Sequence, residues 1–290
     1  MPTLANTLVA TATLTIAGVV SLPMLGFTRS NTASHAAVVN ARAVALGIEA
    51  LATDTRLYAP AYRTAPDGTI THHSAILFAG GYAAEQDFTS PLAPDGGAPT
   101  AGTHVAQAQR TAFTVNGAIM PPEPLAYSGT DRHYRPVSHA GVVPQSGSWL
   151  TRQSEPISPA TTALLTEWYA GDDYAALAQG QTIMSHLPIV PFVGASAGRS
   201  PEREPVAGAS DAAFTYPEAG DIFGDGADFR ETLTSAGPTP INAMGRSHAG
   251  NRAAMIMLDG SARLATPLES VRQRLWGESF HSITGGQRVR

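Results

Sequence analysis

Apolar and polar positions divide the chain at Arg29. No side chain before it is charged, and Leu8 to Phe27, LVATATLTIAGVVSLPMLGF, is a run of 20 apolar, small and hydroxyl residues. As a helix rising about 1.5 Å per residue, such a run reaches roughly 30 Å, the thickness of a bilayer core. Beyond Arg29 the pattern turns amphipathic without a break. HAAVVNARAVALGIEALATDTRLYAP places Val39, Ala43, Leu46, Ala50 and Leu57 near one face, with Arg42, Glu49 and Asp54 turned to water. Alanine favours helix, and Pro60 supplies a stop. The pattern predicts one long helix from about residue 6 to 57, membrane-compatible in its first half, kinked at Pro23 and packed on a domain in its second half. A secretory signal peptide would need a basic n-region and a break after a short apolar core. MPTLANT has no basic residue, and helical sequence runs on.

After the helix, short alternating segments are separated by Gly and Pro clusters. Expected strands are Thr69 to Thr71, Arg110 to Val115, Gly141 to Val143, Ala163 to Glu167, Ile189 to Val193, Ala253 to Leu258 and Ser261 to Ala265. Short helices are expected at Ser74 to Tyr82, Asp172 to Gln179 and Pro267 to Leu275, and PLAPDGGAPTAGT and ASAGRSPEREPVAGAS read as linkers. The sum is an α+β fold: a long N-terminal helix packed against an antiparallel sheet, with irregular insertions.

Composition narrows the function classes. With 43% hydrophobic and 14% charged residues in 290, the chain is globular, and 28 Gly with 22 Pro make it rich in turns. A net charge of -5, with every basic residue an arginine, leaves no clustered basic surface for nucleic acid. The absence of cysteine excludes disulfides, thiolate chemistry and cysteine-based metal sites.

Four constellations carry candidate chemistry. GASAG, Gly194 to Gly198, matches the Gly-x-Ser-x-Gly nucleophile pattern, and Ser196, Asp211 or Asp221, and His248 follow in hydrolase order. That elbow needs a helix directly after the serine, which Pro201 and Pro205 oppose, so a glycine-rich loop is the favoured reading and no enzymatic activity is expected. DIFGDGADFRE gathers Asp221, Asp225, Asp228 and Glu231, either oxygen ligands for calcium or a solvated acidic loop. His72 and His73 invite a zinc reading, but neighbours on a strand point to opposite faces and cannot easily share one ion unless they sit in a loop. The stretch SHAGNRAAMIMLDGSARLAT sets ten residues between His248 and Asp259-Gly260, as a catalytic pair, a metal site or a hairpin. Two apolar segments flanking Asp-Gly favour the hairpin, with Met255, Met257, Ala262 and Leu264, or else the opposite parity, toward the core helix.

Several of these segments together resemble one family. TLVATATLTIAGVVSLPMLGFTRS followed by NARAVALGIEALATDTRLYAP resembles the N-terminal helix of bacterial type IV pilin-like and type II secretion pseudopilin proteins, in particular large members with a C-terminal His, nine residues, Asp-Gly motif. Asn40 with Arg42, Ala52 with Asp54, and Tyr58 with Pro60 match the family's turns and helix exit. Phe113 and Asn116, Glu167, and His186 fall on its strand and loop motifs, and the segment from Arg246 onward is similar nearly throughout. Ala93-Pro94 stands where the family has Cys-Pro.

The resemblance implies a leader at residues 1–5 cut between Ala5 and Asn6 by a prepilin peptidase, and a membrane or filament-core half-helix at 6–28. It further implies an amphipathic half at 29–58 and a head domain at 59–290. The implied protein is a structural subunit, single-pass in the inner membrane before assembly, its head periplasmic or at the cell surface. Its partners are other pilin-like subunits met through the N-terminal helix, where Ala10, Ala12, Ala17 and Gly18 permit close approach. No cofactor is implied beyond calcium, which some pseudopilins bind in a C-terminal loop. Two departures stand out: Ala10 occupies the place of the family's glutamate, and ten residues rather than nine separate His248 from Asp259. The first favours an alternative, an anchored periplasmic or surface binding protein that no longer polymerises.

Overall fold

The computed structural model describes residues 31–64, 69–99, 105–120, 150–168, 188–189, 191–194, 214–222, 241, 244–281 and 287–289. Helix α1 runs Asn31–Thr55 and, by length and composition, is long enough and apolar enough to cross a membrane. A core helix meets the same standard, and α1 is built into the core. Ala37, Ala41, Val44, Ala45, Ile48 and Ala52 are all buried along one stripe. This is not the face expected from the larger side chains. Val39 is 48% exposed and Leu46 is 64% exposed, while Arg42 and Asp54 face water as expected. The helix is apolar on several sides, and the alanine side lets its axis approach the sheet most closely, so close packing decides which face is buried. α1 ends two residues earlier than expected because Arg56 takes φ 65°, outside helical space. The exit is tied down by Tyr58, whose N–H donates to the Thr151 carbonyl at 2.9 Å and whose hydroxyl donates to Glu49 at 2.8 Å.

The chain then forms β1 Tyr62–Thr64, β2 Ile70–His72, α2 His73–Ala79, β3 Ala98–Pro99, β4 Val105–Ala106, β5 Arg110–Thr111 and β6 Phe113–Val115. It continues through β7 Ala163–Glu167, β8 Val193–Gly194, β9 Phe214–Thr215, β10 Ala253–Met257, β11 Ala262–Ala265, α3 Pro267–Arg272, β12 Ser279–Phe280 and β13 Gln287–Arg288. The central sheet has the order β11-β10-β7-β6, antiparallel throughout. A second sheet, β1-β2-β4, is mixed, since β2 and β4 pair in parallel. The molecule is α+β, with an N-terminal apolar helix and antiparallel sheets.

Both faces of the central sheet are buried. On the helix side, Val44, Ala45 and Ile48 of α1 pack with Phe113, Val115, Leu165 and Ile256. On the other side, Met255 and Met257 pack with Trp276, Leu275, Phe280 and Ile189. Of the two parities open to the hairpin, the structure takes the one with Ile256 and Ala262 toward α1. The methionines serve the second core instead. A bulge between Ile256 and Met257 sets Leu165 opposite Ile256 but Ala163 opposite Met257, so Leu164 is the extra residue on β7. Leu165 faces α1, and Glu167, two residues on, therefore faces α1 as well.

The expected strand at 163–167 forms with the expected ends, and the strands at 253–258 and 261–265 and the helices at 74–82 and 267–275 form with shifted ends. The run at 110–115 breaks into β5 and β6 at Ala112, and 189–193 shortens to a bridge at Ile189 and then β8. The expected helix at 172–179 and strand at 141–143 lie outside the described residues, as does everything before Asn31.

Candidate functional site: a buried polar relay at His248

Glu167 is the last residue of β7 and is 1% exposed, a carboxylate in an otherwise apolar layer. Burying such a charge is costly unless its oxygens are fully engaged. Here they are reached from three chain segments. Oε2 accepts the Ala254 N–H at 3.0 Å and the Ser247 hydroxyl at 3.2 Å, and Oε1 accepts the Ser90 hydroxyl at 3.3 Å. The imidazole of His248 completes the set, with Nε2 3.0 Å from Oε2 and both side chains almost wholly buried. That contact is electrostatic more than directional, because the ring N–H lies out of line for a hydrogen bond.

His248 is delivered to this point by its own turn. Its N–H donates to the Arg252 carbonyl at 2.9 Å, and Gly250 and Asn251 at φ 74° and 54° close the loop between them. Gly245 sets the approach: its N–H donates to the Glu167 carbonyl at 2.7 Å, and a Cβ there would stand 2.8 Å from the Glu167 Cβ. Only glycine lets the 244–248 segment lie this close to β7.

The other ring nitrogen of His248 faces α1. Nδ1 lies 2.6 Å from the Ser34 hydroxyl. In the tautomer that carries its proton on Nε2, beside the carboxylate, Nδ1 is an acceptor for the Ser34 hydroxyl. Ser34 thus closes a relay Ser34, His248, Glu167 that joins the start of the described helix to the end of β7 and the entry to β10. Ser34 was not singled out from the sequence. The signal for it was the stripe itself, since 34, 37, 41, 44, 48 and 52 follow the spacing of one helical face, and Ser34 is the polar residue at its head.

Asp259 and Gly260 sit at the opposite end of β10. Five strand residues at about 3.3 Å each put roughly 17 Å between the ends, so His248 and Asp259 neither bind one ion nor act as a catalytic pair. Asp259 closes the turn locally: its Oδ1 accepts from the Ser261 N–H at 2.9 Å and the Ser261 hydroxyl at 2.6 Å. These bonds hold its carboxyl below the usual carboxylate range. Gly260 takes φ 78°, and its N–H donates to the Met257 carbonyl at 2.9 Å. The hairpin expected from Asp-Gly is present.

The His72 and His73 rings do not point to opposite faces; their centroids are 3.9 Å apart. The reason is that His72 ends β2 while His73 begins α2, so strand alternation does not apply across the pair. His72 Nδ1 caps α2 by accepting from the Ser74 N–H. His73 is buried, which lowers its pKa to about 4 and keeps it neutral. Among the described residues no group of three or more metal-ligating side chains comes together. The candidate calcium residues Asp225 and Asp228 lie outside the described residues, and Asp221 is described only as backbone in the short turn Ala219–Asp221. Ala5, Asn6, His186, Ser196 and Asp211 also lie outside them.

Two further positions of the family resemblance have structural roles. Asn116 is buried, donates from Nδ2 to the Ala163 carbonyl at 2.8 Å and the Trp276 carbonyl at 3.3 Å, and accepts the Ala118 N–H at 2.9 Å. Asn40 donates to the Thr89 carbonyl at 2.9 Å, fixing the loop after α2 against α1. No family model, no curated protein and no solved structure matches this chain.

Proposed function

We propose that this chain is a structural, pilin-like or pseudopilin-like subunit, inserted in the inner membrane by its N-terminal segment before it joins a filament. The observation that carries the reading is α1. A helix continuous in sequence with 20 uncharged residues is locked lengthwise onto an antiparallel sheet through an alanine-rich stripe and the Ser34–His248–Glu167 relay. That arrangement makes the head a rigid attachment to whatever the preceding segment does. In this proposal the polar groups of the relay serve rigidity, since the Glu167 carboxylate gathers the Ser90 and Ser247 hydroxyls, the Ala254 N–H and the His248 ring at the junction of helix and sheet.

The test is to tag the C-terminus, fractionate cells, and compare the protein's mass with and without a prepilin peptidase. Membrane association and a mass loss matching residues 1–5 are expected; an unprocessed, freely soluble protein overturns the reading. The alanine at position 10, where the resembled family has glutamate, favours a second reading in which the anchored head acts without polymerising. Electron microscopy of sheared surface material separates the two, because only the first places this chain in filaments.

A further inference from the structure

We infer that Ser34 is a nucleophile-competent hydroxyl, able to capture an acyl or phosphonyl group from an activated ester or a fluorophosphonate. Nothing in the assembly reading requires this, and the two stand or fall separately. The inference rests on order, distance and burial. A hydroxyl becomes a nucleophile when a base lies within about 2.6–3.2 Å of it and a third group orients that base. Ser34 Oγ is 2.6 Å from His248 Nδ1, and His248 Nε2 is 3.0 Å from Glu167 Oε2. Ser34 is half-buried, while the His248 and Glu167 side chains are both almost wholly buried. The negative charge is therefore inside, where screening is weakest, and the hydroxyl is at the accessible end.

The ring uses its nitrogens in a definite sense. With the proton on Nε2, 3.0 Å from the carboxylate, the Nδ1 lone pair faces the Ser34 O–H. Ser247, Ser90 and the Ala254 N–H fix the carboxylate itself, so the imidazole lies against an acid that cannot swing away. In the step, Ser34 Oγ bonds to the carbonyl carbon or phosphorus of the reagent, and His248 Nδ1 takes the hydroxyl proton. The bond to the alkoxide or fluoride leaving group breaks, and the leaving group departs with the electron pair. Glu167 stabilises the imidazolium formed. The product is an acyl or phosphonyl ester on Ser34, with no oxidant or metal needed.

The same molecule contains its own controls. The Ser247 hydroxyl donates to Glu167 directly, and that of Ser261 to Asp259, so each has a carboxylate but neither bonds an imidazole in the way Ser34 does. Full-length protein in detergent is treated with a fluorophosphonate probe, and adducts are mapped by peptide mass spectrometry. An adduct on Ser34 is expected, forming at least tenfold faster than on Ser247 or Ser261. Ser34→Ala removes it, and His248→Gln and Glu167→Gln slow labelling of Ser34 tenfold or more. No adduct on Ser34, or a Ser34 rate equal to those of Ser247 and Ser261, overturns the inference. That comparison is made within the wild-type chain and does not depend on any variant folding.

Discussion

The two ends of β10 carry the two halves of one sequence motif and solve opposite problems. At the His248 end a charge is buried and must be satisfied by distant parts of the chain; at the Asp259-Gly260 end a turn is exposed and satisfies itself within three residues. The lesson is that spacing along the chain says little about shared chemistry when a strand lies between. It also ranks the residues. The buried end couples helix, sheet and loop, so changes there act on the whole fold, whereas changes at the turn act on one hairpin.

The sharpest way to break this comparison is Glu167→Ala. It leaves the His248 imidazole and the Ala254 N–H buried without their partner, and a loss of about 3–5 kcal/mol is expected from urea unfolding of the full chain. A loss below about 1 kcal/mol would show that the two ends are equivalent after all. Ser34→Ala removes the outer member and leaves Nδ1 without its hydrogen bond, for an expected loss of about 2 kcal/mol by the same measurement. At the far end, Gly260→Ala adds a Cβ that meets no neighbouring atoms and is opposed only by the backbone at φ 78°, so about 1 kcal/mol is expected, seen as a small drop in Tm.

Asp259→Asn is the mildest change, and it is tested by pH. The folded carboxyl titrates below its free value of 3.8, so the unfolded state binds the proton first as pH falls. The stability this carboxylate contributes is present above pH 3.8 and is lost as pH falls through the lower folded value. Wild type and Asp259→Asn should differ slightly in Tm at neutral pH and converge in acid. A gap that widens in acid would contradict the turn's self-contained chemistry.

Much of this architecture was legible in the sequence, for reasons that also mark where legibility stopped. The hairpin could be read because Asp-Gly between apolar segments is a local instruction, fulfilled by Ser261 and by a glycine with positive φ. The strand ending at Glu167 could be read from its apolar run. The buried face of α1 could not. Val39 and Leu46 outweigh alanine in any count of hydrophobicity, but the sheet selects the face that packs most closely, and that is a property of the pair of surfaces. The relay was legible only in parts. Glu167 and His248 stood out singly, yet what joins them is the sheet register and the glycine at 245, and neither is visible in residue type.

The reach of the Ser34–His248 contact also bears on how the chain comes to be folded. The two residues are separated by 214 positions, so α1 leaves the ribosome long before its polar anchor exists. At about 5–20 residues per second the wait is on the order of ten to forty seconds. Until then Ser34 has no imidazole to bond, and the alanine stripe can lie only on β6 and β7, since β10 and the turn before it are made later. The docking of the N-terminal helix is therefore completed only from the C-terminal side, when β10 and His248 arrive.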